Sequence, residues 1–245
     1  MNDSSPQSHI SRISTMWSVL RAAHGDGSQK QAAQALLVEC YGPAVRRYLK
    51  TLTRNEHTTD ELWQRFMLKL MSGAFRNVAP EKGRFRSYVK VTLFHLVSEE
   101  FKHQRKNPVH LPDHNEPAPA GTTLPPDEER FEQYWRQQLL DRTWDALQDA
   151  QPRYYAVLKL RTSHPDESIE ALSEMMSAEG DAMTSTAFRK VLSRARERFA
   201  GLLLDEVARS VDPPTPERVE SELADLGLLA YCRPVLAALD HTERE

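Results

Sequence analysis

The chain has 245 residues, 40% apolar and 27% charged, with a net charge of −3 at neutral pH, enough for one large domain or two small ones with separate cores. No long uncharged apolar run suggests a membrane span, and the polar start MNDSSPQSHISRIS lacks the apolar stretch of a signal peptide. Cys40 and Cys232, far apart, read as buried or idle thiols in a reducing cytoplasm rather than a disulfide or metal site.

In chain order, residues 1–14 read as a disordered lead-in. MWSVLRAAH predicts a short helix at 16–24, stopped by a turn at Gly25, Asp26 and Gly27. Ala33, Leu36, Leu37, Cys40, Ala44, Val45, Tyr48 and Leu49 recur at helical spacing and predict a helix over 29–53. Leu62, Phe66, Leu68, Leu70 and Met71 predict another at 59–72, with Thr58 as its cap and Glu61 completing a capping box. Phe75 to Gly83 is a loop. A stripe of Phe85, Val89, Leu93, Leu96, Val97 and Phe101 then predicts a helix over 84–104, closing in Lys102, Arg105 and Lys106.

Residues 107–130 contain six prolines and almost no large apolar side chain, which reads as an extended acidic linker. His110 and His114, near Asp113 and Glu116, have the spacing of helical metal ligands, but a proline-rich segment denies them helical geometry and they read as solvated. Helices follow at 131–148, 152–162 and 166–178, then a turn at Ala178, Gly180 and Asp181, and a helix from Thr184 to about Ser210. Thr215 and Pro216 open an acidic helix, ERVESELADL, within a tail over 212–245. That tail is either a cover over a basic face or a docking site for another protein. Trp63, Trp144, Met175, Met176 and Met183 read as packing residues.

Only nine glycines occur in the chain. Phosphate-cradling loops, nucleophile elbows and hairpin-rich sheets need the positive φ angles that glycine supplies. The expectation is therefore an all-α protein of two helical domains with an extended linker and a short helical C-terminal extension. No GxGxxG, Walker A, GxSxG, HExxH or CxxC motif occurs, which argues against an enzyme and against a cofactor or metal. Charge is unevenly spread: residues 13–106 carry sixteen Lys/Arg against eight Asp/Glu, whereas 107–132 carry six acids and one base. Within 184–200 five bases face one acid. Two basic regions separated by an acidic connector suit a polyanion binder with two contact surfaces.

SIEALSEMMS, a turn and TSTAFRKVLSRARERF have the outline of a helix-turn-helix. Thr184, Ser185 and Thr186 open its second helix, and Arg189, Lys190, Arg194 and Arg196 supply cations for bases and phosphates. TTDELWQRFMLKLM resembles the polymerase-binding helix of sigma-70 family factors of the extracytoplasmic-function (ECF) type. GRFRSYVKVTLFHLVSEEFKHQRK resembles their promoter-melting helix, and MWSVLRAAHGDG the opening of one subgroup.

The resemblance covers about residues 16–210 and implies a sigma factor that binds core RNA polymerase and directs promoter recognition and transcription initiation. It implies a region 2-like domain at 15–106, the linker at 107–130, a region 4-like helix-turn-helix domain at 131–211 and the extension at 212–245. On this reading Asp60, Glu61, Leu62, Gln64 and Arg65 face the polymerase. Arg84, Arg86, Tyr88, Lys90, His95, Lys102, Arg105 and Lys106 face melting DNA, with Tyr88, off the apolar stripe, contacting a base.

The sequence departs from the family pattern at three positions. Tyr88 replaces a tryptophan, His95 an asparagine, and Thr58 the first acid of the polymerase-binding motif. Thr58 or Thr59 is accordingly a candidate phosphorylation site. The implied partners are core polymerase, promoter DNA and an anti-sigma factor or a Ser/Thr kinase, in the cytoplasm. The alternatives are a helix-turn-helix regulator that is not a sigma factor and a helical protein-binding adaptor.

Overall fold

The computed structural model describes residues 16–25, 29–72, 84–106, 128–178 and 183–242. The expected lead-in, most of the first turn, the 75–83 loop, nearly all of the linker with His110 and His114, and the turn after Ala178 lie outside the described residues. Among those described, the chain is all-α, with ten helices and no strand.

The helices are α1 (Met16–His24), α2 (Gln29–Thr53), α3 (Glu56–Met71), α4 (Phe85–Lys106), α5 (Glu128–Ala150), α6 (Pro152–Ser163), α7 (Ile169–Ala178), α8 (Ser185–Arg209), α9 (Pro216–Asp225) and α10 (Leu229–Thr242). They fall into two compact units, one over 14–138 with 210–212, the other including 139–209 and 213–245. Helix α5 thus supplies its residues up to Gln138 to the first unit and those from Leu139 to the second.

In the first unit α1, α3 and α4 pack around α2. Leu37, Val45, Tyr48, Leu49, Leu62, Phe66, Phe85, Val89, Leu93 and Leu96 are all essentially inaccessible to solvent. Gly42 lets the Trp63 indole lie against α2, because a Cβ there would stand 3.0 Å from its Cη2 atom. The core is completed by the start of α5: Phe131 meets Tyr48 edge-on, and Trp135 lies against Tyr41. His24, buried at the end of α1, directs its ring nitrogens at the Leu20 carbonyl (2.9 Å) and the Leu70 carbonyl (2.7 Å), among the terminal carbonyls of α1 and α3.

The start of α3 differs from the sequence expectation. Asn55, in extended backbone, is the cap, and its side-chain oxygen accepts from the Thr58 amide at 3.0 Å. Arg54, at φ 51°, turns the chain so that the helix begins at Glu56, three residues before the expected start. Thr58 is therefore inside the first turn and the capping box with Glu61 does not form; Glu61 instead lies 3.7 Å from His57.

In the second unit α8 is the central element. Phe188, Leu192 and Ala195 are buried on one side of its first half, while Leu203, Leu204, Val207 and Ala208 are buried in its second. The tail forms α9 and α10, which pack on α8. Thr215 caps α9 as expected, with Pro216 in its first turn. Gly227, at φ 66°, ends it in a Schellman turn, with the Leu228 amide on the Leu223 carbonyl (2.8 Å) and the Gly227 amide on the Ala224 carbonyl (3.0 Å). Helix α10, absent from the sequence expectation, then buries Cys232, whose thiol lies 3.7 Å from the Ala200 carbonyl.

Candidate protein and nucleic-acid interfaces

On α3, apolar residues at 62, 66 and 70 point into the core and leave Glu61, Gln64 and Leu68 outward. Leu62 is fully buried, which corrects its assignment to a contact surface: it shares the inward stripe with Phe66 and Leu70. Leu68, not singled out as a contact residue in the sequence, is 68% exposed instead. Asp60 binds Arg46 of α2 at 2.6 Å. Arg65 bridges to α4, 3.1 Å from Glu99 and 3.0 Å from Glu100. Glu61, Gln64, Arg65, Leu68, Glu99, Glu100 and His103 together line one shallow cleft between α3 and α4.

Glu56 pairs with Lys50 at 2.9 Å, and the Lys50 ammonium holds its carboxyl below the usual range. Thr58, two residues on, is half-buried. Thr59 is completely buried, its hydroxyl bonded to the Asn55 carbonyl (2.8 Å) and the Thr53 hydroxyl (2.7 Å). A kinase has no access to it while the start of α3 is folded.

Helix α4 separates its residues sharply. Arg86 is buried and bound to Glu132 of α5 at 2.8 Å, a correction to its placement against DNA. It sits seven residues before Leu93, on the inward side, where an acid from α5 satisfies it. Tyr88 is half-buried with its ring edge-on to Trp17, the centroids 5.9 Å apart, so it is in part a packing residue. Arg84 and Lys90 are half-exposed, and His95, Lys102 and Arg105 are exposed. The side chain of Lys106 lies outside the described residues. Phe101, expected on the core stripe, is exposed, because the end of α4 outruns the helices that cover it: residues 101–105 all face solvent.

In the second unit Ser168 caps α7 through the Ala171 amide (3.1 Å), and Thr184 caps α8 through the Ala187 amide (3.2 Å). Leu172, Met176 and Met183 are buried with Phe188 and Leu192, as expected of methionines filling a core. Ser177 accepts the Met183 amide at 3.2 Å, joining the end of α7 to the approach to α8. Arg189 pairs with Glu170 at 2.8 Å across the two helices. Thr186, Lys190, Arg194 and Arg196 are exposed and Ser185 is half-exposed, so the start of α8 presents hydroxyls followed by cations. Arg196, farthest along that run, lines one groove with Tyr231, Pro234 and Val235 of α10. A groove of about 680 Å³, with walls including Leu140, Trp144, Leu158, Phe199 and Tyr231, opens between α5, α6, α8 and α10.

Comparison with known proteins adds one finding. Residues 37–107, from the middle of α2 through α4, match the Sigma-70 region 2 family. The matched segment is less than half of the chain and contains both the α3 cleft and the cationic face of α4, and it supports a sigma-70 family sigma factor. No curated protein and no solved structure matches the chain. No helix among the described residues is long and apolar enough to cross a membrane.

Proposed function

We infer that the chain is an ECF-type sigma factor, acting without catalysis of its own. The first unit docks on core RNA polymerase through α3 and opens promoter DNA along α4. The second reads an upstream promoter element with α7 and α8 as a helix-turn-helix. The single observation that carries the reading is the region 2 match over 37–107, spanning the helices that bear both candidate surfaces. The contact set on α3 is Asp60, Glu61, Gln64, Arg65 and Leu68. On α4 it is Arg84, Lys90, His95, Lys102 and Arg105, with Tyr88 at its edge. On α8 it is Thr184, Ser185, Thr186, Arg189, Lys190, Arg194 and Arg196. Core polymerase and promoter DNA are the partners, in the cytoplasm, with an anti-sigma factor or a Ser/Thr kinase as the source of control.

The test is transcription in vitro with purified core polymerase and no other sigma factor, from genomic fragments selected by the reconstituted holoenzyme. Specific transcript starts that depend on the added protein are expected. DNA binding without transcription would leave a helix-turn-helix regulator. Absence of any salt-sensitive DNA affinity would leave a protein-binding adaptor.

A further inference from the structure

The groove of about 680 Å³ between α5, α6, α8 and α10 lies wholly within the second unit. Sites for small organic ligands run to roughly 300–1,000 Å³ and are mostly apolar with a few polar groups. Trp144 forms a fixed wall. Phe199 lies 4.7 Å from it between centroids, Tyr155 meets it edge-on at 5.8 Å, and the Lys159 ammonium stands 5.0 Å from its ring. Leu140, Leu158, Pro234 and Val235 extend the apolar lining. Cations gather beside it: Ser193 and Arg196 also line a second, shallower groove of about 360 Å³, where Arg161 and Arg189 join them. Arg189 pairs with Glu170 at 2.8 Å, and Arg161 donates to the Glu167 carbonyl at 2.6 Å. Arg196 is exposed and has no such partner among the described residues. Against three guanidinium groups the two grooves set one acid, Glu197.

We propose that this groove binds a small apolar organic acid, its body seated against Trp144 and Tyr231 and its anionic head on Arg196. Apolar walls select an apolar body. A guanidinium on the lining selects a head with paired oxygens, because its fork of N–H groups matches a carboxylate. Side chains from four helices surround the space, which suits a compact molecule rather than a flat protein surface. Occupancy has a consequence for the second unit. Arg196 is also among the cations assigned to promoter DNA, so the head group and a phosphate claim the same side chain and exclude each other there. The ligand site stands on the groove alone, whereas this competition rests on the proposed function.

The test uses the full chain and two fluorescent probes of similar shape, anilinonaphthalene sulfonate, which is anionic, and phenylnaphthylamine, which is neutral. Both should bind saturably to the parent. Arg196→Ala should weaken the sulfonate about tenfold and leave the neutral amine as it was. Ala230→Trp, at an exposed position of α10 on the groove wall, should fill the space and remove both probes without changing the urea midpoint. Sulfonate binding that survives Ala230→Trp, or an equal loss of the two probes in Arg196→Ala, overturns the proposal. Decanoate and naphthoate, as competitors, report an aliphatic or an aromatic body; displacement of the sulfonate by neither overturns it as well. Promoter duplex should displace the sulfonate and spare the neutral amine. Duplex that binds and leaves the sulfonate in place overturns the competition. A parent that binds no DNA yet holds the sulfonate through Arg196 removes the sigma reading and upholds the site.

Discussion

Tyr41 and Trp135 lie face to face, their ring centroids 4.7 Å apart and their planes 16° from parallel. They are separated by most of the first unit's sequence, and their contact ties the opening turns of α5 to α2. Phe131 and Trp135 are 0% and 2% exposed, so this part of α5 belongs to the first core. Trp135→Ala should cost about 3–5 kcal/mol of stability, read as a lower urea midpoint of the first unit. A shift of a few tenths would show that α5 merely rests there.

Charge reversal at Asp60 and Glu61 should weaken binding to core polymerase. The ion pair of Asp60 with Arg46 and the contact of Glu61 with His57 are solvent-exposed, and exposed pairs contribute about 0–1 kcal/mol to stability. Helicity by circular dichroism should therefore survive while affinity in a pull-down or titration falls. Unchanged affinity would move the polymerase contact away from the start of α3.

Thr58 and Thr59 separate as candidates for phosphorylation. Thr58 lies in the first turn of α3, where an added −1.5 to −2 charge meets the positive end of the helix dipole. Thr58→Asp should raise core binding and transcription, and Thr58→Ala should abolish any response to a kinase. Thr59→Asp should instead destabilise the fold, because its buried hydroxyl is bonded twice. Equal cellular activity of the parent, Asp and Ala forms at position 58, with no phosphopeptide across the region, would dispose of the switch.

Burial pushes the Cys232 thiol up to about 12, against an ordinary value of 9.0. A group whose folded value is raised contributes its stability fully below the unfolded value. That contribution is lost as pH climbs from about 9 toward 12, where the unfolded chain ionises first. Between pH 8 and pH 10.5 the parent should lose about 2 kcal/mol more than Cys232→Ala, by urea unfolding at both pH values. The native thiol should also resist a disulfide reagent at pH 8 and react once the chain is unfolded. Equal losses in the two proteins would show that the thiol ionises freely in the fold.

Much of the helical pattern was readable in advance. The bounds of α1 and α2 follow from apolar periodicity, and the Thr215–Pro216 start of α9 follows from cap chemistry. The start of α3 was misplaced because three polar residues, Asn55, Thr58 and Thr59, could each cap, and only the backbone turn at Arg54 selects the first. Helix α10 escaped notice because Pro234 interrupts a short apolar stretch after Gly227. Among the candidate contacts, Arg86 and Leu62 were misjudged for one reason. Periodicity tells which residues share a side, but not which neighbour arrives to cover it; Glu132 reaches Arg86 from a helix 46 positions on. The exposure of Phe101 was hidden likewise, since it continues the apolar spacing of Phe85 to Val97 past the point where neighbouring helices cover it.

The order of elements in the second unit has a consequence for synthesis. Leu203, Leu204 and Val207 of α8 are buried in a unit completed by α9 and α10, which emerge from the ribosome after them. At ordinary elongation rates this apolar half of α8 waits roughly a few seconds for its cover. The cationic start of α8 is made first and keeps its own packing with α7. A nascent chain arrested before α9 would thus carry a basic surface beside an open apolar one, the combination that draws chaperones and nucleic acid together.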